Sequence, residues 1–310
     1  MSGPVTERDV EPVPEPDDPA VAPLEVVEGR AAEVGGFGVR RVLPRRARRT
    51  VGAWCFADHM GPGSVTEDHG LDIGPHPHIG LQTVTWLLDG AVLHRDSLGS
   101  EQLIRPGQLN LMTAGHGVSH SEETTGVHTG ALHGIQLWVA QPEATRHGAP
   151  AFEHHAELPR VELAPGATAT VLIGSVAGAT SPARADTDHL GADVALPAGR
   201  TIVPLAAGAE HALTVLEGTV AVDGRPLGPG RLGLLGLGRD EVPVDADGPA
   251  RVLLLGGTPF PDELVMWWNY VARTRDEVVT AHREWTARDA RFGTVASPLA
   301  RIDVPGPPWS

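Results

Sequence analysis

The stretch Gly74-Pro-His-Pro-His-Ile-Gly80 places two histidines two residues apart and decides how the first half of this chain folds. Residues two apart on an extended strand point to the same side, so the imidazoles of His76 and His78 can reach one cation. A second motif, Gly117-Val-Ser-His-Ser-Glu122, repeats the spacing with a histidine and a glutamate. Together the motifs predict two neighbouring strands that share one metal site.

The expected ligand set combines three imidazoles with one carboxylate, from His76, His78, His120 and Glu122. This donor set suits a borderline divalent ion such as iron, manganese, nickel, copper or zinc. Four protein ligands leave room for water, oxygen or substrate on an octahedral metal. The site is therefore expected to support chemistry.

The sequence pattern around these motifs is typical of many short strands. Short runs of Val, Leu and Ile are broken by Gly, Pro and Asp in a chain with 38 glycines and 28 prolines among 310 residues. A mainly β protein of two domains follows, with the metal site in residues 25–145 and a second domain in residues 146–310. The acidic, proline-rich residues 1–24 lack periodicity and are predicted to form a disordered tail.

Two local patterns predict secondary structure in the first domain. The run Gln82–Leu88, the turn Asp89-Gly90 and the run Ala91–Asp96 are typical of a β-hairpin. Residues 141–156, rich in Gly, Pro, His and Ala, indicate a connection between the domains.

The second half repeats the layout of the first. Leu213-Thr-Val-Leu-Glu-Gly218 is similar to Val84-Thr-Trp-Leu-Leu-Asp-Gly90, and Leu227-Gly-Pro-Gly230 is similar to Ile104-Arg-Pro-Gly107. A duplicated domain is predicted. The matching part of the second half offers only His211 as a donor, so we expect the second domain to lack metal ligands.

The pattern changes to helical spacing after residue 261 and predicts two short helices at the end of the second domain. The first is indicated by Leu264, Val265, Trp268 and Val271, and the second by Val278, Val279, His282 and Trp285. Thr274-Arg-Asp-Glu277 is a capping box that marks the start of the second helix. Trp267, Trp268 and Trp285 are assigned to packing.

Charge and cysteine content exclude several classes of function. A formal net charge of -15 and a pI near 5.4 disfavour general nucleic-acid binding. The single cysteine, Cys55, forbids an internal disulfide, and no basic leader or long apolar run is found, so a cytoplasmic protein without a membrane span is expected.

One stretch is strongly basic in an otherwise acidic chain that contains no lysine. Its members are Arg40, Arg41, Arg45, Arg46, Arg48 and Arg49. We expect them to pair with acidic side chains of the surface or of the second domain, and the alternative is a patch for a nucleic acid or an acidic partner.

The spacing Gly70-(x5)-His76-x-His78 and the Pro106-Gly107 turn followed by His120 resemble the two motifs of the cupin superfamily. Longer strings resemble the pirin family: Arg41-Val-Leu-Pro44, Val51-Gly-Ala-Trp54, Phe56-Ala-Asp-His-Met-Gly-Pro62, His94-Arg-Asp-Ser-Leu-Gly99, Met112-Thr-Ala-Gly115, His120-Ser-Glu122 and Gln136-Leu-Trp-Val139.

The resemblance implies two cupin-type β-barrels, with one metal ion, Fe(II) first among the candidates, held by the four ligands in the N-terminal barrel. It also implies a quercetin 2,3-dioxygenase activity or a protein-partner role, because family members have been linked to both. Fold alone does not choose between them.

Gln82 departs from the family pattern, in which many members carry glutamate. Counting by twos from His78 places Gln82 on the face that points toward the metal. An amide is a poor ligand and no base, so Gln82 is expected to orient a water or substrate, or to hydrogen-bond Glu122. The catalytic candidates are thus Glu122, as the carboxylate, and Gln82.

Other histidines are given structural roles. His94 and Asp96 share one side of a strand, and we favour a hydrogen bond at the barrel rim over a pair that supports a ligating imidazole. His116 lies between two glycines and is expected at the surface. The remaining members, His59, His69, His128, His133, His147, His154 and His155, are assigned to surface or core.

Three functions remain open. The first is an Fe(II)-type dioxygenase that chelates a flat aromatic enol such as a flavonol, with Glu122 taking the hydroxyl proton and an apolar wall from Trp86, Leu111 and Met112. The second is a non-catalytic, metal- and redox-responsive protein that binds a partner through the basic stretch. The third is a scaffold that the metal only stabilises. We favour the first.

Overall fold

A computed structural model describes residues 23–45 and 48–309 of this chain. The predicted tail at residues 1–24 lies outside the described residues except for its last two. Arg46 of the basic stretch also lies outside them.

The described chain is built almost entirely of strands. The first twelve are β1 Glu25–Glu28, β2 Arg30–Val34, β3 Phe37–Leu43, β4 Trp54–Val65, β5 Ile73–His78, β6 Leu81–Asp89, β7 Val92–Asp96, β8 Glu101–Ile104, β9 Leu109–Thr113, β10 Val118–Glu123, β11 Gly130–Ala140 and β12 Ala151–His155. The others are β13 Arg160–Ala164, β14 Ala167–Ile173, β15 Ser175–Val176, β16 Ala179–Thr180, β17 His189–Leu196, β18 Gly199–Pro204, β19 Glu210–Glu217, β20 Val220–Val222, β21 Arg225–Leu227, β22 Arg231–Leu235, β23 Glu241–Ala246, β24 Ala250–Gly257, β25 Val265–Trp267 and β26 Tyr270–Ala272.

Each half of the molecule pairs a seven-stranded sheet with a four-stranded sheet. The first half has the orders β12-β9-β6-β11-β4-β3-β2 and β5-β10-β7-β8, and the second has β1-β22-β19-β24-β17-β14-β13 and β18-β23-β20-β21. The two sets of orders match strand for strand, so the predicted duplication and the mainly β class are confirmed. The strands equivalent to β5 and β10 are β18 and β23, and neither contains a histidine.

The two barrels exchange their edge strands. Strand β1 precedes the first barrel in sequence but pairs with β22 of the second, from Glu25 against Leu234 to Glu28 against Arg231. Strand β12 follows the first barrel within the expected connection and pairs back onto β9. The exchange crosses the expected division at residue 145.

The predicted hairpin at residues 82–96 is wrong. The runs do form β6 and β7, and Gly90 turns the chain with φ 86°, but β6 pairs with β9 and β11 while β7 pairs with β8 and β10. The chain passes from one sheet to the other at this turn. The Asp-Gly signal specified the turn, but β6 takes partners distant in sequence, and β7 pairs with the strand that follows it and with β10.

The prediction of two short helices is wrong for the first of them. Residues 265–272 form the hairpin β25–β26, in which Trp267 lies opposite Tyr270. The second helix is α1, Arg275–Thr286, and the side chain of Thr274 accepts a hydrogen bond from the Glu277 amide as predicted. The Glu277 carboxylate accepts from the Arg273 amide instead of the Thr274 amide. A 3-10 turn, Ala290–Phe292, follows.

The C-terminal segment packs on the first barrel although it follows the second in sequence. The Ile302 amide donates to the Pro75 carbonyl oxygen, and Val271 donates to Ile79. The Ser119 hydroxyl donates to the carbonyl oxygen of Phe292 at 2.7 Å. Residues 264–302 therefore cover the edge of the barrel that carries the two metal-ligand motifs.

Buried polar contacts join the two barrels across an apolar interface. The Trp54 indole donates to the Leu190 carbonyl oxygen at 2.9 Å, and the Trp86 indole donates to Asp193 at 2.8 Å. No helix within the described ranges is both long enough and apolar enough to cross a lipid bilayer.

Candidate metal centre

The two ligand motifs lie side by side, as their spacing predicts. Strands β5 and β10 pair antiparallel, with His120 opposite His76 and Val118 opposite His78. One ligand nitrogen from each of the three histidines lies within 4.8 Å of the other two, and the side chains are buried. This is the one cluster of at least three such donors within residues 23–45 and 48–309.

Hydrogen bonds orient two of the three imidazoles, His76 and His78, in the same sense. The Nδ1 atom of His76 lies 2.9 Å from the Gly74 carbonyl oxygen, and that of His78 lies 3.0 Å from the Asn269 carbonyl oxygen. Because a carbonyl oxygen only accepts, both Nδ1 atoms carry the proton and both Nε2 atoms keep a free lone pair. The His78 and His120 Nε2 atoms are 3.0 Å apart, so lone pairs converge on one point.

A buried side-chain relay supports His120. Its Nδ1 lies 3.3 Å from the Nδ1 of His94, whose Nε2 lies 3.1 Å from an Asp96 carboxylate oxygen. If His120 binds a cation through Nε2, it must donate its Nδ1 proton to His94, and His94 must donate its own proton to Asp96. The favoured rim role for His94 and Asp96 is therefore wrong, and the alternative is what the structure contains.

Asp96 is itself held in place. Its second carboxylate oxygen accepts from the amides of Leu98 and Ser100 at 2.9 Å and 3.0 Å. Burial raises the pKa of this carboxyl, but the hydrogen bonds from His94 and Ser100 outweigh burial and leave the pKa below its usual value. An ionised Asp96 is the acceptor that the relay requires.

Burial keeps the three imidazoles neutral. It lowers the pKa of His76 to about 4 and the pKa values of His78 and His120 well below 6.5. Neutral imidazole is the form that binds metal, so these groups need not lose a proton before they accept an ion. The free Nε2 lone pairs of His76 and His78, joined by that of His120 when its Nδ1 proton is donated to His94, fit a divalent transition ion.

Glu122 lies in the same cavity but outside the group of three. Its carboxylate oxygens do not join the set of atoms within 4.8 Å of one another, and the pairing of β10 with β5 shifts register between His120 and Glu122. Burial raises the pKa of Glu122 to about 7. Three of the four expected ligands are thus brought together, and coordination by Glu122 stays a prediction.

The structure gives Gln82 different neighbours from those expected. Its amide nitrogen donates to the Thr113 hydroxyl at 3.0 Å, its carbonyl oxygen is buried without a partner, and it does not line the cavity. Alternation cannot be counted from His78 to Gln82 because β5 ends at His78 and the chain turns at Gly80, where φ is 66°.

The expected apolar wall is also wrong, for the same reason. Trp86, on the strand with Gln82, points to the second barrel, and Leu111 and Met112 belong to the core. The wall is formed instead by Val34, Val39, Phe56, Met60, Leu71, Ile73, Trp138, Trp268 and Ile302 around a cavity of about 460 Å³.

Two contributions from the β25–β26 turn were missed by sequence reasoning. Trp268, with φ 51°, lines the cavity, and the Asn269 carbonyl oxygen holds His78. Because helical spacing was assigned to this segment, neither role was predicted from the sequence. The packing assignment is confirmed, because Trp267 and Trp268 pack against the apolar cluster that contains buried Trp285, but it did not predict that Trp268 also faces the cavity.

The remaining basic and histidine residues take no part in the histidine cluster. His116 is exposed, as predicted, and His59 forms a buried pair with His133 at 2.8 Å. Arg41 pairs with Asp58, and Arg48 pairs with Glu210 of the second barrel, so the expectation of internal ion pairs is confirmed for these two.

Comparison with known proteins places both halves in one family. The model of the Pirin family matches residues 36–139, and that of the Pirin C-terminal cupin domain matches residues 191–293. The chain belongs to the pirin family. The ligand motifs of this pirin fall inside the first match, and the equivalent strands β18 and β23 fall inside the second.

Relatives of this pirin cover nearly its whole length. A Pseudomonas aeruginosa protein named "Putative quercetin 2,3-dioxygenase" is 48% identical over 289 residues, 92% of this chain and 91% of the relative. A pirin-like protein of Caulobacter vibrioides is 38% identical over 84% of this chain and 92% of its own. The crystal structure of a quercetin 2,3-dioxygenase from Acinetobacter baumannii superposes with a TM-score of 0.89 at 42% identity, covering 93% and 96% of the two chains.

Proposed function

We propose that this pirin is a metal-dependent oxygenase of the quercetin 2,3-dioxygenase type, acting on a flat aromatic enol. The observation that carries the proposal is the convergence of three neutral imidazole nitrogens beside an unpaired carboxyl group, in a cavity of about 460 Å³. A cavity of this size and apolar lining suits a small aromatic molecule. Relatives that bear the quercetin 2,3-dioxygenase name cover the same length of chain.

The three imidazoles would hold the ion and the relay would fix their tautomers. A divalent transition metal, Fe(II) first among the candidates, supplies Lewis acidity and electron exchange with oxygen when it is bound. Asp96 and His94 keep the Nδ1 proton of His120 engaged, so its Nε2 stays available. Apolar side chains around the cavity exclude water from the bound substrate.

Glu122 is proposed as the group that accepts the hydroxyl proton of the enol. A pKa near 7 makes it an effective base at neutral pH, and no hydrogen bond from the described residues occupies its oxygens. A nearby cation would lower that pKa and hold the group ionised before substrate enters. Whether Glu122 also binds the ion is part of the same proposal.

Oxygen consumption with quercetin as substrate tests the proposal. Protein loaded anaerobically with Fe(II), and in parallel with Ni(II) or Mn(II), is expected to consume oxygen as quercetin absorbance disappears. His76→Ala removes one donor and is expected to abolish both signals. Turnover in no metal form, or equal turnover in His76→Ala, would refute the proposal and favour the interaction or scaffold functions.

Glu122→Gln separates proton transfer from ion binding. The amide keeps the shape of the side chain but is no base at neutral pH, so turnover is expected to fall about 100-fold or more. The matched control is Glu67→Gln, an exposed glutamate outside the cavity. Metal content measured on the same samples shows whether Glu122 also contributes to affinity.

A further inference from the structure

A row of polar side chains crosses four strands on the wall of the cavity. Arg41 of β3 lies opposite Asp58 of β4, Asp58 lies opposite Gln136 of β11, and Gln136 lies opposite Thr85 of β6. Cross-strand neighbours share a face of the sheet, so the four side chains form one line. Its members Arg41, Asp58 and Gln136 line the cavity that contains the histidine cluster.

Aromatic side chains separate this polar row from the histidines. The Arg41 guanidinium lies over the Phe56 ring at 4.6 Å, and the Phe56 ring stacks on the Trp138 ring at 4.0 Å. The Trp138 ring meets the His78 ring edge-on at 5.3 Å. The cavity wall is therefore polar at the metal cluster, apolar in the middle and polar again at the Arg41 end.

The polar row keeps hydrogen-bonding capacity for a ligand. The Nε and Nη2 atoms of Arg41 donate to Asp58 at 2.8 Å and 2.7 Å, which leaves Nη1 without a bond among the described residues. The carbonyl oxygen of Gln136 accepts from Thr85 at 2.8 Å, while its amide nitrogen makes no bond among those residues. Two donors are thus available, and the Asp58 carboxylate has acceptor capacity to spare.

We propose that Arg41, Asp58 and Gln136 form a recognition subsite for hydroxyl groups on an aromatic ring remote from the metal, so that the ligand is a planar polyphenol. This assignment rests on the proposed function for the position of the chelating end of the ligand. A phenolic hydroxyl both donates and accepts, and it meets the spare acceptor on Asp58 together with the donors on Arg41 and Gln136. An apolar ring system would lie along Phe56 and Trp138.

The charge of the subsite selects a hydroxyl over a carboxylate. Asp58 already offsets the charge of Arg41 one for one in a two-bond ion pair, and Glu33 of the lining matches the charge of Arg30, which lies opposite Arg41 on β2. An anionic ligand group would meet no net positive charge here and would lose its hydration on entry. The subsite therefore suits neutral phenols.

Binding measurements test the subsite without using turnover. Quercetin has hydroxyls on both outer rings, whereas 3-hydroxyflavone keeps only the chelating hydroxyl and carbonyl groups. Titration calorimetry under anaerobic conditions on Ni(II)-loaded protein is expected to give tighter binding of quercetin. Arg41→Lys, which keeps the charge that pairs with Asp58 but removes the forked donors, should weaken quercetin about three- to tenfold and 3-hydroxyflavone less than twofold.

Matched variants make the outcome specific. Arg200→Lys changes an equivalent two-bond pair with Asp245, exposed on the second barrel, and should leave both affinities unchanged. Gln136→Met should reproduce the selective loss for quercetin while thermal unfolding confirms a folded protein. A carboxylate at the 4′ position of 3-hydroxyflavone should weaken binding.

Three results would overturn the subsite: equal losses for both flavonols, tighter binding of the carboxylate, or no binding of either flavonol. Selective loss without any oxygen consumption would support the subsite and refute the oxygenase, so the two proposals fail separately.

Discussion

The relay behind His120 predicts how strongly the histidine cluster of this pirin would hold an ion. His94→Phe removes both relay bonds but keeps the aromatic stacking on Phe152, whose ring lies 4.5 Å from that of His94 at an interplanar angle of 14°. Without an ion, His120 can adopt either neutral tautomer. With an ion on Nε2, the Nδ1 proton must be present, and in the variant it has no acceptor in a buried site.

The magnitude follows from that unpaired donor. A buried polar group without a partner costs about 1–3 kcal/mol, and here the cost falls on the metal-bound form. The metal dissociation constant should therefore rise about 10- to 100-fold, in the range expected for loss of a group that supports a ligand. Asp96→Asn retains a weaker acceptor for His94 and should give a smaller increase, several-fold in size.

Competition with a fluorescent chelator for Ni(II) at pH 7.5 measures the metal dissociation constants of the two variants and of the unmodified protein. His147→Phe, which changes an exposed histidine away from the cluster, is the matched control and should bind as the unmodified protein does. Circular dichroism checks that each variant is folded. An affinity for His94→Phe within twofold of the unmodified protein would refute the relay, as would a larger effect from Asp96→Asn than from His94→Phe.

Two further predictions concern stability and the C-terminal hairpin. Burial, with His133 as a second cause, lowers the pKa of His59 to about 4, so its contribution to stability is present above pH 6.5 and is lost as pH falls toward 4. The free energy of unfolding, measured with urea on chelator-treated protein, should therefore fall toward that of His59→Gln by about 2–3 kcal/mol between pH 7 and pH 4. A constant difference between the two proteins across this pH range would contradict this origin. A methyl group at Gly80 would lie 2.2 Å from the Val271 carbonyl oxygen and push the hairpin that carries Asn269 away from His78. Gly80→Ala should weaken Ni(II) binding more than Gly107→Ala, which shares a positive φ but meets open space, and equal losses would show that backbone strain alone is responsible.

The part of the site that the sequence predicts correctly is local. His76, His78 and His120 converge because alternation along a strand fixes the direction of side chains two residues apart. That rule fails once a turn intervenes, as at Gly80, and it then places Gln82 and Trp86 on the wrong surface. Turn chemistry has the same limit, since Asp89-Gly90 does turn the chain but cannot specify which strands pair.

The missing parts of the site depend on contacts distant in sequence. Asn269 reaches His78 across 191 residues through a backbone carbonyl, which no side-chain motif records. Residues 265–272 fit helical spacing and show no polar alternation that would indicate strands, and they form a hairpin that packs against the first barrel. His94 and Asp96 did carry a sequence signal, two polar residues on one side of a strand, but their burial could not be read from it.

The segment that supplies Asn269 also sets the order of assembly. Strand β12 and the hairpin β25–β26 follow the histidine motifs in sequence, and the hairpin comes after the entire second barrel. During synthesis the three imidazoles are therefore made long before the carbonyl oxygen that fixes His78. The support of His78 is therefore completed only once residues 264–302 have left the ribosome and packed on the first barrel.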